Sequence, residues 1–420
     1  MFVISARDPV SLARTGTLRL ARGEVGTPAF VPLATKAAVK CLEPRDVEAL
    51  GYELILANTF HLLLAPGPEV VAEFGGVHEF MRWERPVITD SGGFQVFSMG
   101  HGNVADEIKG RARFQPDDSR AARSGETGHR ADGQRERAGA ILSIEEEGVT
   151  FRSYVDGRIR FLGPETSMSV QAALGSDIAL VFDECTPFHA TREYTAASTE
   201  RTHRWLERCL RWHTDNGPPG QAVYGIVQGG VYEDLRRAST AAVAASDSDG
   251  IAIGGSLGQD KAQMYEVVAW TTAELERAAP ARPRHLLGIG DIDDLIAGVE
   301  LGIDTFDCAL PTRLGRHGVA LVPAPDSRWR LDLVKSTHRL AREPIEDGCP
   351  CPACAGGFSR GYLHYLLRAR ELTGMRLVTL HNLSFIRRLM GELRTAIGEG
   401  RLREVAAALR AGVAPTSYSR

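Results

Sequence analysis

Short runs of β-branched and aliphatic residues recur along the chain, each closed by a turn signal, and most are trailed by residues with helical periodicity. The runs are Ala29–Pro32, Glu53–Phe60, Pro86–Asp90, Asp177–Asp183, Ala222–Gln228, Gly250–Gly255, His285–Gly290 and Ile303–Leu310. The helical patterns that follow them include Pro44–Leu50, Glu69–Phe80, Ala190–Trp212, Glu233–Ala245, Lys261–Leu275 and Ile292–Leu301. Alternation of this kind predicts parallel strands joined by crossover helices, and eight such units predict an α/β fold, a (β/α)8 barrel. A doubly wound open sheet is the runner-up. One stretch, 108–139, is rich in Arg, Asp, Glu, Ser and Gly with almost no large apolar residue beyond Phe114, which predicts a disordered insertion. A hairpin-like pattern follows over Leu142–Tyr154, with a turn at Asp156-Gly157. The expected division is a catalytic barrel over 1–335, a small metal-binding unit over 336–390 and a helical segment over 391–420.

At 420 residues and 43% hydrophobic, the chain is long enough to bury a large core. No run approaches the ~18 apolar residues of a membrane-spanning helix, and the start, Met1 to Arg7, lacks a secretory apolar region, so the expected location is the cytoplasm. A formal net charge of −4 argues against a uniform coat for nucleic acid, yet basic residues crowd the C-terminal third. Between Arg313 and Arg388 lie Arg316, Lys335, Arg339, Arg342, Arg360, Arg368, Arg370 and Arg376, which offer either a phosphate-binding face or solvated helix faces.

Barrel chemistry gathers at the carboxyl ends of strands. Asn58 and His61, Asp90, Asp183, Gln228, the Gly254-Gly255 pair and Asp307 all lie at or near such ends. Asp90 and Asp307 therefore form a candidate pair for acid/base and nucleophilic work. The seven cysteines are too few for a disulfide scaffold, and Cys349, Cys351 and Cys354 form a tight knuckle suited to zinc. Either His364 or His381 can supply a fourth ligand by spacing alone. Cys41, Cys185, Cys209 and Cys308 read as buried small apolar residues.

Several segments, taken together, resemble the tRNA-guanine transglycosylases of queuosine biosynthesis, of bacterial type. They are Thr27-Pro-Ala-Phe-Val-Pro32, Leu56-Ala-Asn58-Thr-Phe-His61, Asp90-Ser91-Gly92-Gly93-Phe94-Gln95, Phe182-Asp183-Glu-Cys-Thr-Pro187, Gly225-Ile-Val-Gln228-Gly-Gly230 and Phe306-Asp307-Cys-Ala-Leu-Pro-Thr-Arg313, with the cysteine knuckle beyond. The resemblance spans nearly the whole chain.

By that resemblance, Asp307 is the expected nucleophile at the ribose C1′ of a tRNA guanosine, and Asp90 the expected proton shuttle for the incoming base. Ser91, Gly92, Gly93 and Phe94 are expected to line the base pocket with Asp183, Gln228 and Gly255, supported by Asn58 and His61. The chemistry suits guanine: a carboxylate such as Asp183 accepts from its N1–H and amino group, Gln228 and the Gly255 N–H donate to O6, and Phe94 offers a stacking face. Plainer roles exist for each, since Asp183 can cap a helix, Gln228 can bond backbone and Phe94 can be core. The resemblance implies RNA contact through Gly288, Ile289, Gly290, Asp291, Ile292, Asp293 and Asp294, and through Thr312, Arg313, Leu314, Gly315 and Arg316. It selects His381 as the fourth ligand of one structural zinc ion. It also implies a homodimer acting on tRNA with a G-U-N anticodon.

One run departs from the bacterial pattern. After the glycine pair, bacterial members carry a leucine and then a Gly-Glu that recognises the aminomethyl group, whereas this chain reads Gly254-Gly255-Ser256-Leu257-Gly258-Gln259-Asp260. The expected base is 7-aminomethyl-7-deazaguanine, favoured by the bacterial Cys185 and by the absence of a long C-terminal RNA-binding extension, with queuine and the 7-cyano base as alternatives. Three other functions compete: a catalytically silent tRNA-binding subunit, a deazaguanine transglycosylase acting on DNA, and a zinc-dependent barrel hydrolase. The presence of both Asp90 and Asp307 argues against the first, and the closed ligand set of the cysteine knuckle against the last.

Overall fold

The computed structural model describes residues 2–100 and 141–416. Eight strands close a barrel: β1 (Ala29–Ala34), β2 (Ile55–Ala57), β3 (Val87–Thr89), β4 (Ile178–Leu180), β5 (Ala222–Val227), β6 (Gly250–Ile253), β7 (Arg284–Leu286) and β8 (Thr305–Cys308). Each pairs in parallel with the next, and β8 returns to β1 with Asp307 opposite Val31. The closed ring excludes the open sheet. Ile55, Val87, Ala179, Val227, Ile251 and Phe306 are buried completely or nearly so, as strands covered on both faces require.

The strands are shorter than the apolar runs suggest, because polar ends turn into loops and caps. Glu53–Phe60 yields only three strand residues, and its Asn58 instead caps the helix Thr59–Leu64 by accepting from His61 N at 3.2 Å. The predicted helix Glu69–Phe80 is two helices, Pro68–Glu73 and Val77–Met81. Gly75 and Gly76 between them adopt φ of 88° and 99°, a left-handed conformation that a continuous helix cannot contain. Glu233–Ala245 forms as predicted, and Arg192–Asn216 and Lys261–Ala278 start behind the side-chain caps Thr191 and Asp260. The expectation of a disordered insertion over 108–139 lies outside the described residues.

Below the barrel, an antiparallel sheet that the sequence reading did not anticipate (Phe2–Arg7, Arg14–Leu20, Gly23–Thr27) covers the amino ends of the strands. Its anchor is Arg14, fully buried, which donates to both oxygens of Asp304 at 2.9 and 2.6 Å and to Arg282 O at 2.7 Å. Asp304 also accepts from Arg284 N at 2.7 Å, so one carboxylate ties the sheet to β7 and β8. A second antiparallel sheet (Ile141–Ile144, Val149–Arg152, Ile159–Leu162) extends the predicted hairpin and packs Phe151 and Leu162 against Phe60 and Phe97 above β2 and β3.

Beyond β8, a two-stranded hairpin (Val319–Leu321, Arg330–Asp332) and the helices Pro352–Ala355 and Arg360–Arg368 gather a small core of Val322, Leu333, Ile345, Leu363 and Leu377. The helix Leu372–Gly398 joins this core to the barrel. Its Leu383, Phe385, Ile386 and Leu389 enter the barrel core, and Leu383 O accepts from Tyr52 OH at 2.8 Å. It runs unbroken across residue 390, and the small core reaches back to Ala320. Among the described residues no helix is long and apolar enough to cross a membrane.

Replacing Arg14 by Ala strands a buried Asp304, and the expected loss of stability is about 3–5 kcal/mol. Arg19→Ala, at an exposed pair with Glu24, is expected to cost about 0–1 kcal/mol. Urea denaturation of both variants checks the contrast, and equal midpoints would remove Arg14 from its place as anchor.

Candidate active site

The carboxyl ends of the strands converge on one mouth. Asn58 follows β2, Asp90 follows β3, Asp183 lies three residues past β4, Gln228 follows β5, Gly254 and Gly255 follow β6, and Asp307 is the third residue of β8.

Asp307 is buried, and its Oδ1 accepts from Gly288 N at 3.0 Å and faces His285 Nε2 at 3.2 Å. His285 is itself completely buried and meets Thr305 Oγ1 through Nδ1 at 2.8 Å. Since a carboxylate only accepts, Nε2 is the donor to Asp307. Among the described residues no donor engages Oδ2. One oxygen is thus held and the other is left for chemistry.

Asp90 is held more fully. Its Oδ1 accepts from Thr59 N at 2.8 Å, and its Oδ2 from Gln95 Nε2 at 3.0 Å and from the Asn58 amide. Burial nonetheless dominates these bonds and raises its pKa to about 7, with the nearby charge of Asp307 adding to the rise. Such a carboxyl changes protonation near neutral pH, as a proton carrier must.

Asp183 is tied to the segment that follows Asp90. It accepts from Ser91 Oγ at 2.9 Å and from Gln228 Nε2 at 2.6 Å, and burial pushes its pKa up to about 6. Gly93 is there for space, since a Cβ on it would stand 2.6 Å from Asp183 O. Gly92 and Gly255 both take positive φ, and a Cβ on Gly255 would meet Gln228 Oε1 at 2.2 Å. Gln228 Oε1 and Gln95 Oε1 are buried acceptors without a partner among the described residues. Phe94 is half-buried and packs on the core beside the pocket. The structure therefore brings Asp90, Ser91, Gly93, Asp183 and Gln228 together, with Gly92 and Phe94 beside them and Gly255 closing the wall.

The two segments with expected RNA contacts differ in character. Thr312 to Arg316 lie on the helix Leu310–Arg316, where Thr312 and Gly315 are buried and Gly315 lies against Thr379, while Arg313 and Arg316 have no carboxylate partner among the described residues. Around Gly288 to Asp294, the acidic side chains are engaged within the protein. Asp294 pairs with Lys261 at 2.9 Å and Tyr265 OH at 2.8 Å, Asp293 accepts from Trp329 Nε1 at 3.0 Å, and Asp291 pairs with Arg330 at 3.3 Å. Gly288 N already serves Asp307. Two exposed lysines absent from the sequence reading, Lys36 and Lys40, lie after β1. Lost hydration and the charges of Arg316, Lys36 and Arg313 lower the Lys40 pKa, so these four cations share one rim.

The metal-ligand set is assembled as well. His381 Nδ1 lies 3.7, 3.4 and 3.5 Å from the sulfurs of Cys349, Cys351 and Cys354, and the four ligand atoms fall within 4.8 Å of one another. His381 Nε2–H donates to Leu321 O at 2.7 Å, which leaves Nδ1 bare and aimed at the thiols. His364 is elsewhere, bonded to Leu333 O at 2.9 Å. The cluster can hold a metal ion and is closed by four protein ligands.

With this geometry in place, the comparisons with known proteins decide the family. The profile of the family described as Queuine tRNA-ribosyltransferase matches residues 8–123 and 134–414. The chain belongs to the queuine tRNA-ribosyltransferase family. It is 46% identical over 412 residues to the Queuine tRNA-ribosyltransferase of Roseiflexus sp. (strain RS-1), covering 95% of this chain and 96% of that protein. The proteins of the same name from Moorella thermoacetica and Thermus thermophilus are each 43% identical, covering 97% and 95% of this chain and 96% and 91% of their own lengths.

Some of the site in this family member escaped the sequence reading. The sequence alone marks His285 and Thr305 only as strand residues. The available signal was spacing: Thr305 and Asp307 are two apart on one strand and so share a face, and His285 is the register partner of Thr305 on β7. Tyr154, which holds His61 Nδ1 at 2.8 Å, had no comparable signal, because it comes from a sheet 93 residues away.

A carboxyl whose folded pKa is raised binds more protons in the folded than the unfolded state between the two values, so stability falls as pH rises through that window. For Asp183 the window runs from the ordinary value of 3.8 to about 6. Asp183→Asn is therefore expected to gain stability relative to wild type as pH rises from about 4 to about 7. Thermal melts across that range read the difference, and a flat or falling difference would refute the raised pKa.

Proposed function

We propose that this protein is a tRNA-guanine transglycosylase that exchanges the wobble guanine of G-U-N anticodon tRNAs for 7-aminomethyl-7-deazaguanine, by double displacement. The observation that carries the reading is the pair Asp307 and Asp90 in one mouth, the first with an unengaged oxygen and the second protonating near neutral pH. Family membership directs that chemistry to tRNA and a purine base.

In the proposed reaction, Asp307 Oδ2 attacks the ribose C1′, the glycosidic bond breaks, and guanine leaves with the bonding electrons and takes a proton from Asp90. His285 and the Gly288 N–H hold Oδ1 and keep the carboxylate aimed. The incoming base then loses a ring proton to Asp90, and its freed nitrogen attacks C1′ and expels Asp307. Two inversions give net retention. Asp183, Ser91 and Gln228 are the proposed readers of the guanine edge, with Gly92, Gly93, Phe94 and Gly255 shaping the pocket. Arg313, Arg316, Lys36 and Lys40 are the proposed phosphate contacts, since they share one rim and have no carboxylate partner among the described residues. Gly288 to Gly290 would meet RNA through backbone, while Asp291, Asp293 and Asp294 brace the segment from within.

Zinc is the proposed metal. Bonds of about 2.3 Å to sulfur and 2.1 Å to nitrogen in a tetrahedron put nitrogen and sulfur roughly 3.6 Å apart, which agrees with the 3.4 to 3.7 Å separations around His381 Nδ1. Four protein ligands leave no open position, so the ion would fasten the helix Leu372–Gly398 to the knuckle and take no part in exchange. A cytoplasmic homodimer is the proposed working form, on the family resemblance.

Incubation of the protein with radiolabelled guanine and unmodified G-U-N tRNA is expected to label the RNA, with the aminomethyl base the strongest competitor. Asp307→Asn is expected to abolish both labelling and the covalent RNA adduct on denaturing gels while retaining zinc; an active, zinc-bearing variant would sink the mechanism. Cys351→Ala is expected to lose the metal by atomic absorption and to lower the melting temperature. Retained zinc with unchanged melting would overturn the assigned ligand set.

A further inference from the structure

The helix Glu233–Ala245 carries Arg236, a side chain with no solvent exposure and no carboxylate partner among the described residues. Its five N–H donors are all used on backbone carbonyls. Nε and Nη2 reach Gly230 O at 3.2 and 2.7 Å, Nη1 reaches Val227 O at 3.2 Å and Gly254 O at 2.9 Å, and Nη2 also reaches Ser256 O at 3.2 Å. Taking a guanidinium out of water without an opposing charge is unfavourable, and five hydrogen bonds to four well-placed carbonyls are what make it tolerable here. These acceptors belong to two loops, 227–230 after β5 and 254–256 after β6. They are the loops that bear Gln228 and Gly255.

We propose that Arg236 is a positioning residue for base recognition, clamping these two loops so that the Gln228 amide and the Gly255 N–H face the exchanged base at a fixed separation. The inference rests on the base-exchange reading above. A trans peptide places its C=O and the following N–H on opposite sides, so holding Gly254 O on Arg236 turns the Gly255 N–H away from the guanidinium. That N–H lies against the Cys185 thiol. Sulfur is a weak acceptor, and the O6 of a guanine displaces it readily. The tolerance of the wall is small, because Gln228 Oε1 already occupies the space beside the Gly255 Cα. A lysine ammonium has three donors on a tetrahedral centre and cannot span four carbonyls in one plane.

The test is steady-state incorporation of labelled guanine into tRNA, varied separately in guanine and in tRNA, for wild type, Arg236→Met, Arg236→Lys and Val243→Ala. Val243 is an equally buried core residue on the same helix that touches neither loop carbonyl nor base. Arg236→Met is expected to raise the KM for guanine about tenfold while the KM for tRNA stays within about twofold. Arg236→Lys is expected to fall between Met and wild type, and it carries the comparison if the Met variant does not fold. Val243→Ala is expected to lower the melting temperature with an unchanged KM for guanine. A wild-type KM for guanine in the folded, zinc-bearing Arg236 variants would overturn the clamp. Failure of wild type to incorporate guanine would instead overturn the base-exchange reading, and this inference with it.

Discussion

The hydrogen bonding between β8 and β1 that closes the ring is the constraint on which the site depends. With Asp307 opposite Val31, eight parallel strands have nowhere to send their carboxyl ends except one mouth. Polar residues separated by as many as 249 positions, from Asn58 to Asp307, then face a common space without any local tendency to do so. An open sheet built from the same strands would spread these residues along a crevice. The antiparallel sheet anchored by Arg14 and Asp304 closes the opposite end and fixes the bases of β7 and β8, the strands that hold His285 and Asp307.

Within the mouth, three aspartates meet different surroundings. Asp90 and Asp183 are raised to about 7 and about 6 because desolvation outweighs the donors around them. Asp307 has a backbone N–H and an imidazole nitrogen directed at one oxygen. Two kinds of carboxylate at one site suit a reaction that needs a nucleophile and a proton carrier at once. The donors that each carboxylate meets differ, and they come from the helices, loops and strands around the mouth.

The C-terminal unit solves a separate problem. Its core is small, and Cys349, Cys351 and Cys354 sit in it as ligands that a single histidine on the helix Leu372–Gly398 completes. That helix also buries Phe385 and Leu389 in the barrel core, so a closed ligand set at one face and apolar packing at the other join the two parts. The helix Leu310–Arg316, with Gly315 against Thr379, is trapped between them, which places Arg313 and Arg316 at the rim with Lys36 and Lys40.

The sequence by itself determined a good deal. Period and turn signals marked all eight strands, the motifs marked Asp90, Asp183, Gln228 and Asp307 as chemistry-bearing, and three cysteines in six residues marked the metal ligands. These features were legible because strand alternation, glycine turns and ligand spacing are local, and local patterns survive in one dimension. Closure of the ring, the sheet beneath it, and the choice between His364 and His381 were decided by tertiary structure. So were the holding of Asp307 by His285, the break at Gly75-Gly76, and the Arg236 bonds that join two loops. Each is a contact or a backbone conformation set by packing between distant segments, and no run of neighbouring residues encodes which distant groups will meet.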